Sequence, residues 1–238
     1  TMSAGDFTAA NTSTNWKLEN VMLKCDLCTL DNALDNNYTA HLLSGKSLNI
    51  VYNTFVSNIQ TILSGDTQIN ISRSLSKLKS VFISLERDFV GARNTFHNKQ
   101  WNNLYSPMAL DTATETLTHR EAFEIESLQL QVGAFMIPQY PIRSHAECFY
   151  SLRKSLGIQA NSLHSVDITG NEYRNGKFIV GLDCEKLLGL AFTGMNTKNS
   201  LMTVKLKTAE GNRANRIHIL LFSEQILEVN DTGVSYYD

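Results

Sequence analysis

Charged side chains are scarce in this 238-residue chain, at 18% of it against roughly a quarter in an average soluble domain. The 21 Lys and Arg nearly balance 23 Asp and Glu, leaving a net charge of −2 and a pI near 6.3. There is no basic excess of the kind that holds nucleic acid or an anionic membrane surface, so no direct nucleic-acid binding is expected. No apolar run reaches the ~18 residues of a membrane span. The opening TMSAGDFTAANTST has neither the basic nor the apolar region of a secretory leader, which leads us to expect synthesis inside the cell. Four cysteines at irregular spacing are too few for a disulfide scaffold, and free, mostly buried thiols are the expectation. Proline is rarer still, with three in the chain.

What is plentiful is Asn, Ser and Thr between short apolar runs, a composition that suits strands joined by turns better than long helices. Residues 1–15 are small and polar without a period and read as a flexible tail or linker. Leu18, Val21, Leu23 and Leu27 mark a strand or two ending near Leu30. Asp31 then reads as an N-cap, with Leu34, Tyr38, His41 and Leu42 on one face of a short helix stopped at Gly45. Leu48, Ile50 and Tyr52 alternate; Phe55, Ile59 and Ile62 fit either a strand or a helix, and we take a strand on the β-branched content. Ile69, Ile71 and Leu75, then Val81, Ile83 and Leu85, alternate again. Residues 87–118 lack any period and contain Pro107, so a domain boundary is expected there. Phe123 and Ile125 have the opposite parity to Leu128 and Leu130, which predicts a bulge near Ser127.

The stretch 128–157 carries the most local information. Leu128, Leu130 and Val132 alternate with Gln129 and Gln131, and Gly133 breaks the run. Pro138 and Pro141 force extended or turn geometry. Ser144 and Glu147 form a capping box, reciprocally bonded, for a helix with His145, Phe149, Leu152 and Leu156 on one face. Arg153 and Lys154 suit its last turn, and Gly157 its stop. Further on, Gly170 and Asn171 read as a turn, KFIVGL as a buried strand and DCEKLL as one or two helical turns. Met202, Val204 and Leu206 alternate with Thr203, Lys205 and Lys207 as a strand with one wet face. RIHILLF is apolar on both faces, which predicts a central strand between two layers, and the last turn falls at Asp231–Gly233. Strands at this spacing with few helices point to an all-β sandwich or jelly roll.

No motif in the chain assembles into a reaction centre. Gly45, Lys46 and Ser47 match the end of a phosphate loop, but Ala40 stands where its first glycine belongs, and a helix precedes them. Cys25 and Cys28 form a CxxC without a second ligand pair, on opposite faces of the expected strand. His145 and Glu147 imitate the HxE of zinc deaminases, with no PCxxC to follow. His41, His97, His119, His164 and His218 have no spacing relation to a nucleophile or carboxylate pair. Asn11, Asn37, Asn70 and Asn230 open glycosylation sequons that read as chance in an Asn-rich chain. We therefore expect no catalytic residue, cofactor or metal site.

Several blocks together resemble one family: LLSGKSL (42–48), ISRSLSKLKSVFI (71–83), YPIRSHAECFYSLRKSLG (140–157), KFIVGLDCEK (177–186), AFTG (191–194) and the tail RIHILLFSEQILEVNDTGVSYYD. Their order is similar to that of the double jelly-roll major capsid proteins of Polinton-like viruses, virophages and related large DNA viruses. The resemblance implies that residues 16–86 supply the later strands of a first jelly roll, 87–118 an interdomain segment and 119–238 a second jelly roll. The early strands of the first roll have no counterpart before Trp16, so a C-terminal portion of a longer protein is expected. The implied function is a non-enzymatic capsid protein of the virion. Its partners are its own copies, in a homotrimer and between neighbouring capsomers, with minor capsid or penton proteins. Phe89, Phe96, Trp101 and Tyr105 are the expected contact anchors, since they fall outside any strand pattern. The alternative is a cytosolic β-sandwich binding module, lectin-like or protein-binding, using Trp101, Asn102, Asn103 and Tyr105.

Overall fold

The computed structural model describes residues 17–62, 65–87, 125–158, 168–174, 177–185, 194–208 and 214–237. Strands β1 (Leu48–Thr61), β2 (Asp66–Ile71) and β3 (Leu78–Arg87) precede the long 88–124 connection. After it come β4 (Ile125–Val132), β5 (Phe135–Ile142), β6 (Val180–Asp183), β7 (Met202–Thr208), β8 (Ala214–Asn230) and β9 (Gly233–Tyr237). The helices are α1 (Asn32–Leu43), α2 (His145–Ser155) and α3 (Gly170–Arg174).

The strand pairings are nested: β1 with β8, β2 with β7, β3 with β6 and β4 with β5, all antiparallel. The chain is thus one long hairpin with its tip at Gly133, rolled so that successive levels alternate between two sheets. One sheet runs β1-β8-β3-β6 with β9 on the far end of β8; the other runs β2-β7-β4-β5. This is a jelly roll. Gly133 serves the tip with φ +58, and a side chain there would meet Ser200 Oγ at 2.9 Å.

The inner faces follow the period-two patterns. Val81, Ile83 and Leu85 of β3, Val180 and Leu182 of β6, and Ile217, Ile219 and Leu221 of β8 meet Ile69 and Ile71 of β2, Leu128, Leu130 and Val132 of β4, and Met202, Val204 and Leu206 of β7 in one buried cluster. The predicted bulge is present, as a register shift between Ile125 and Ser127 against β7.

Those pairings correct the expected division into two rolls. Residues 48–87 and 125–237 are halves of the same sheets, so 16–86 is not a separate unit from 119–238, and the 88–124 connection carries the chain from one sheet to the other. Runs of strands on either side of a period-free stretch look like two domains because local pattern carries no information on which strand pairs with which.

Smaller expectations also shift. Residues 17–30 are exposed and form no regular secondary structure. The expected turn at Gly170 is helix α3, whose capping box was legible in Thr169 and Glu172: Glu172 N donates to Thr169 Oγ1, and Thr169 N donates to Glu172 Oε2. Of the face predicted for α2, Leu152 is buried and Leu156 exposed, with Cys148 taking the second buried place. DCEKLL lies partly outside the described residues, and Cys184 and Glu185 are not helical.

Candidate assembly surface

Helix α2 is fixed on the outer side of the five-stranded sheet by a glycine. Gly181 in β6 faces outward opposite Phe82, and a Cβ there would lie 2.0 Å from Ser155 Oγ and 3.1 Å from Leu152 Cα. Ser151 Oγ donates to Gly181 O (2.5 Å) and Ser80 Oγ to Ser155 O (3.3 Å), stitching the helix to β6 and β3. Ser144 caps it as predicted, accepting from Glu147 N at 3.2 Å. The Glu147 carboxylate accepts from Arg143 N (2.7 Å), one residue earlier than the box predicted. Phe149 of the helix, Tyr173 and Phe178 meet in a row of tilted ring contacts, and the Tyr173 hydroxyl donates to Ile179 O at 2.7 Å. The helix covers β6 and ends there.

Beyond α2 the same outer face continues over β3, β8 and β1 as an apolar row: Phe82, then Leu220 and Phe222, then Phe55 and Ile59. Phe55 stacks on Phe222 (centroids 4.7 Å apart) yet is 60% exposed, and Ile59 is 58% exposed. β8 is central in its sheet, as its two apolar faces predicted, but among the described residues only its inner face has a second layer. Charges lie at the two ends of the row. At one, Glu86 takes Nε2 of His218 at 2.8 Å and Nη1 of Arg216 at 3.6 Å. At the other, Lys79 is the extra residue of a β3 bulge, and its ammonium binds Glu224 (2.8 Å) and Glu185 (3.3 Å). Burial works against the Lys79 charge, but the hydrogen bond it donates to Glu224 and the charges of the two carboxylates outweigh it and hold its pKa above the ordinary value.

The sheet also outruns its partner sheet. β3 starts opposite Ser223, and past that point β8 runs between the first residues of β1 and β9 as a three-stranded extension. Ile50, Val51 and Tyr52 are consecutive and all exposed on its β1 edge, and Val234, Tyr236 and Tyr237 on its β9 edge, while Glu224 and Gln225 of β8 between them are buried. Ahead of it stands α1, predicted from Asp31 to Gly45 and found there, with no buried residue. Gly45, at φ +74, gives its amide to Leu42 O: a helix stop, as predicted, and no phosphate loop.

The remaining motif residues are scattered. Cys25 and Cys28 are exposed. Cys148 and Cys184 are buried, each thiol pushed up to about 12, chiefly by desolvation. His145 packs edge-on to Phe178, 5.8 Å between centroids. Among the described residues no three His, Cys, Asp or Glu side chains are grouped to hold a metal ion, and no helix is long and apolar enough to cross a membrane. His97, Phe89, Phe96, Trp101, Asn102, Asn103, Tyr105, His119 and His164 lie outside the described residues.

No protein-family model and no curated protein matches the chain. Solved structures do match. The chain is similar in fold to one in the crystal structure of PBCV-1 VP54 fitted into a cryo-EM reconstruction of the virophage Sputnik, with a TM-score of 0.51, 9% identity, and coverage of 88% of this chain and 55% of that one. It also matches a chain of the quasi-atomic model of the PBCV-1 virus capsid (TM-score 0.49, 9% identity, covering 87% and 54%). A third match is the mavirus major capsid protein (TM-score 0.35, 12% identity, covering 80% and 41%). The chain spans about half the length of the VP54 chain. The likeness is one of fold, a jelly roll.

Proposed function

We propose that this chain is a shell-building part of a viral major capsid protein, without catalytic activity. Its role is to pack side by side with copies of itself. The observation that carries the reading is the outer face of the five-stranded sheet, where Phe55, Ile59 and Leu220 lie open next to a three-stranded extension whose edge strands expose Ile50, Val51, Tyr52, Val234, Tyr236 and Tyr237. Contiguous apolar surface of this kind is a contact surface. The jelly roll shared with the VP54 chain supports the same reading from the side of the fold.

Three copies form the unit of assembly in this reading. They make a six-sided capsomer that tiles an icosahedral shell within the virion, with minor capsid or penton proteins at special positions. Closed rotational symmetry covers the apolar faces without starting an endless fibre. The test is light scattering of the purified chain joined to electron microscopy. A particle of three times 26.7 kDa that images as regular capsomers is expected. A strict monomer at high concentration sinks the proposal.

A further inference from the structure

Each sheet of a jelly roll leaves two edges, and an exposed edge invites another strand unless something blocks it. Of these four, β5, β6 and β2 carry blocks, and β9, a fifth free edge beside β8, is only five residues long. β5 contains Pro138 and Pro141 and breaks register against β4, where Leu128 pairs with Ile142 but Leu130 with Ile137. Gln129 Nε2 fastens that break by donating to Pro138 O and Gln139 O. β6 is four residues long and lies under α2. β2 is six residues long and opens on Asp66.

β1 is the exception. It is 14 residues long, pairs in unbroken register with β8 from Leu48 to Thr61, and contains no charged residue, proline or glycine. Among the described residues nothing pairs with its other side.

The same chain holds the complementary piece. Residues 17–30 alternate Val21, Leu23, Cys25 and Leu27 with Met22, Lys24, Asp26 and Cys28, the pattern of a strand with one apolar face. They form no strand in the single chain, where Leu23 and Leu27 are 91% and 93% exposed. The segment matches β1 in length, and its two lysines offset its two acids, so an uncharged edge does not repel it.

We infer that residues 17–30 of one copy add as a strand to the β1 edge of a second copy. The added strand extends the outer apolar row: Leu220 and Phe222 on β8, Phe55 and Ile59 on β1, then Leu23 and Leu27 of the neighbour. Backbone hydrogen bonds along β1 supply affinity, and the apolar row sets the register. The contact is head-to-tail, and the three-fold rotation proposed above is what closes it in a ring of copies instead of a filament. This inference rests on the self-assembly proposed above and names the edge that carries it.

The test uses the full chain. Leu23→Glu with Leu27→Glu changes only exposed side chains, so thermal stability of the single chain should stay the same while self-association weakens at least about tenfold, the ratio that 1.4 kcal/mol represents. In parallel, a tagged chain carrying Cys28→Ser, with Cys25 kept, is mixed with an untagged chain carrying Cys25→Ser, Cys28→Ser and one cysteine at Asn53, Ser57 or Thr61. Oxidation should join tagged to untagged chains at one of these positions. Wild-type protein that assembles while the double-Glu variant assembles equally well, or while no position on β1 crosslinks between chains, overturns the inference and leaves the assembly reading standing. Wild-type protein that never self-associates overturns both.

Discussion

At the scale of single residues, the most constrained position is one with no side chain. Gly181 lets α2 approach the sheet, and Gly181→Ala must displace Ser155 and the backbone at Leu152. Overpacking of this sort costs about 1–3 kcal/mol, to be read as a lower denaturation midpoint in urea. Buried titratable groups fix the alkaline limit. Thiols 148 and 184 keep their protons up to about 12, whereas in the unfolded chain they ionise near 9, so the unfolded state binds fewer protons above pH 9 and stability falls from there upward. Tyr173, raised by burial first, acts in the same direction. Lys79 adds to it: its raised pKa contributes stability that is fully present below its ordinary 10.5 and is lost as pH climbs through the folded value. Stability measured against pH should therefore decline above about 9, and Cys148→Ala with Cys184→Ala should flatten the first part of that decline. An unchanged slope in the double variant would count against buried thiols as its source.

At the scale of elements, local chemistry was legible wherever it decides the structure. Removing the cap of α2 by Ser144→Ala should cost ~1 kcal/mol, and Thr169→Ala should fray α3 similarly, with urea midpoints as the check. The α2 cap, the stop at Gly45, the bulge near Ser127 and the alternation of β7 were all readable because neighbours within a few residues fix them. β1 was ambiguous for a physical reason. Phe55 and Ile59 are four residues apart, which puts them on one face of a strand and of a helix alike, and only pairing with Phe222 and His218 decides. Residues 17–30 show the opposite case, a strand pattern that pairs with no strand among the described residues. The candidate surface could be seen only in outline. That RIHILLF needs cover on both faces was plain, but nothing in sequence says that α2 stops at β6 and leaves Leu220 open.

At the scale of the whole molecule, the nested pairings decide when the fold can exist at all. The outermost level closes last in sequence: Tyr52 donates its hydroxyl to Gln225, 173 residues downstream. A ribosome adding about 5–20 residues per second needs roughly 10–30 s to travel between them. For that interval a strand of 14 uncharged residues has no partner on either side. Nascent chains stalled before Arg216 should bind a holdase chaperone and be cut by protease within β1, whereas chains released after Tyr237 should resist cutting there. Equal resistance in both would mean that β1 finds shelter without β8. Translation speed over the last level of the roll thus sets how long β1 of each new chain stands open to capture by another copy.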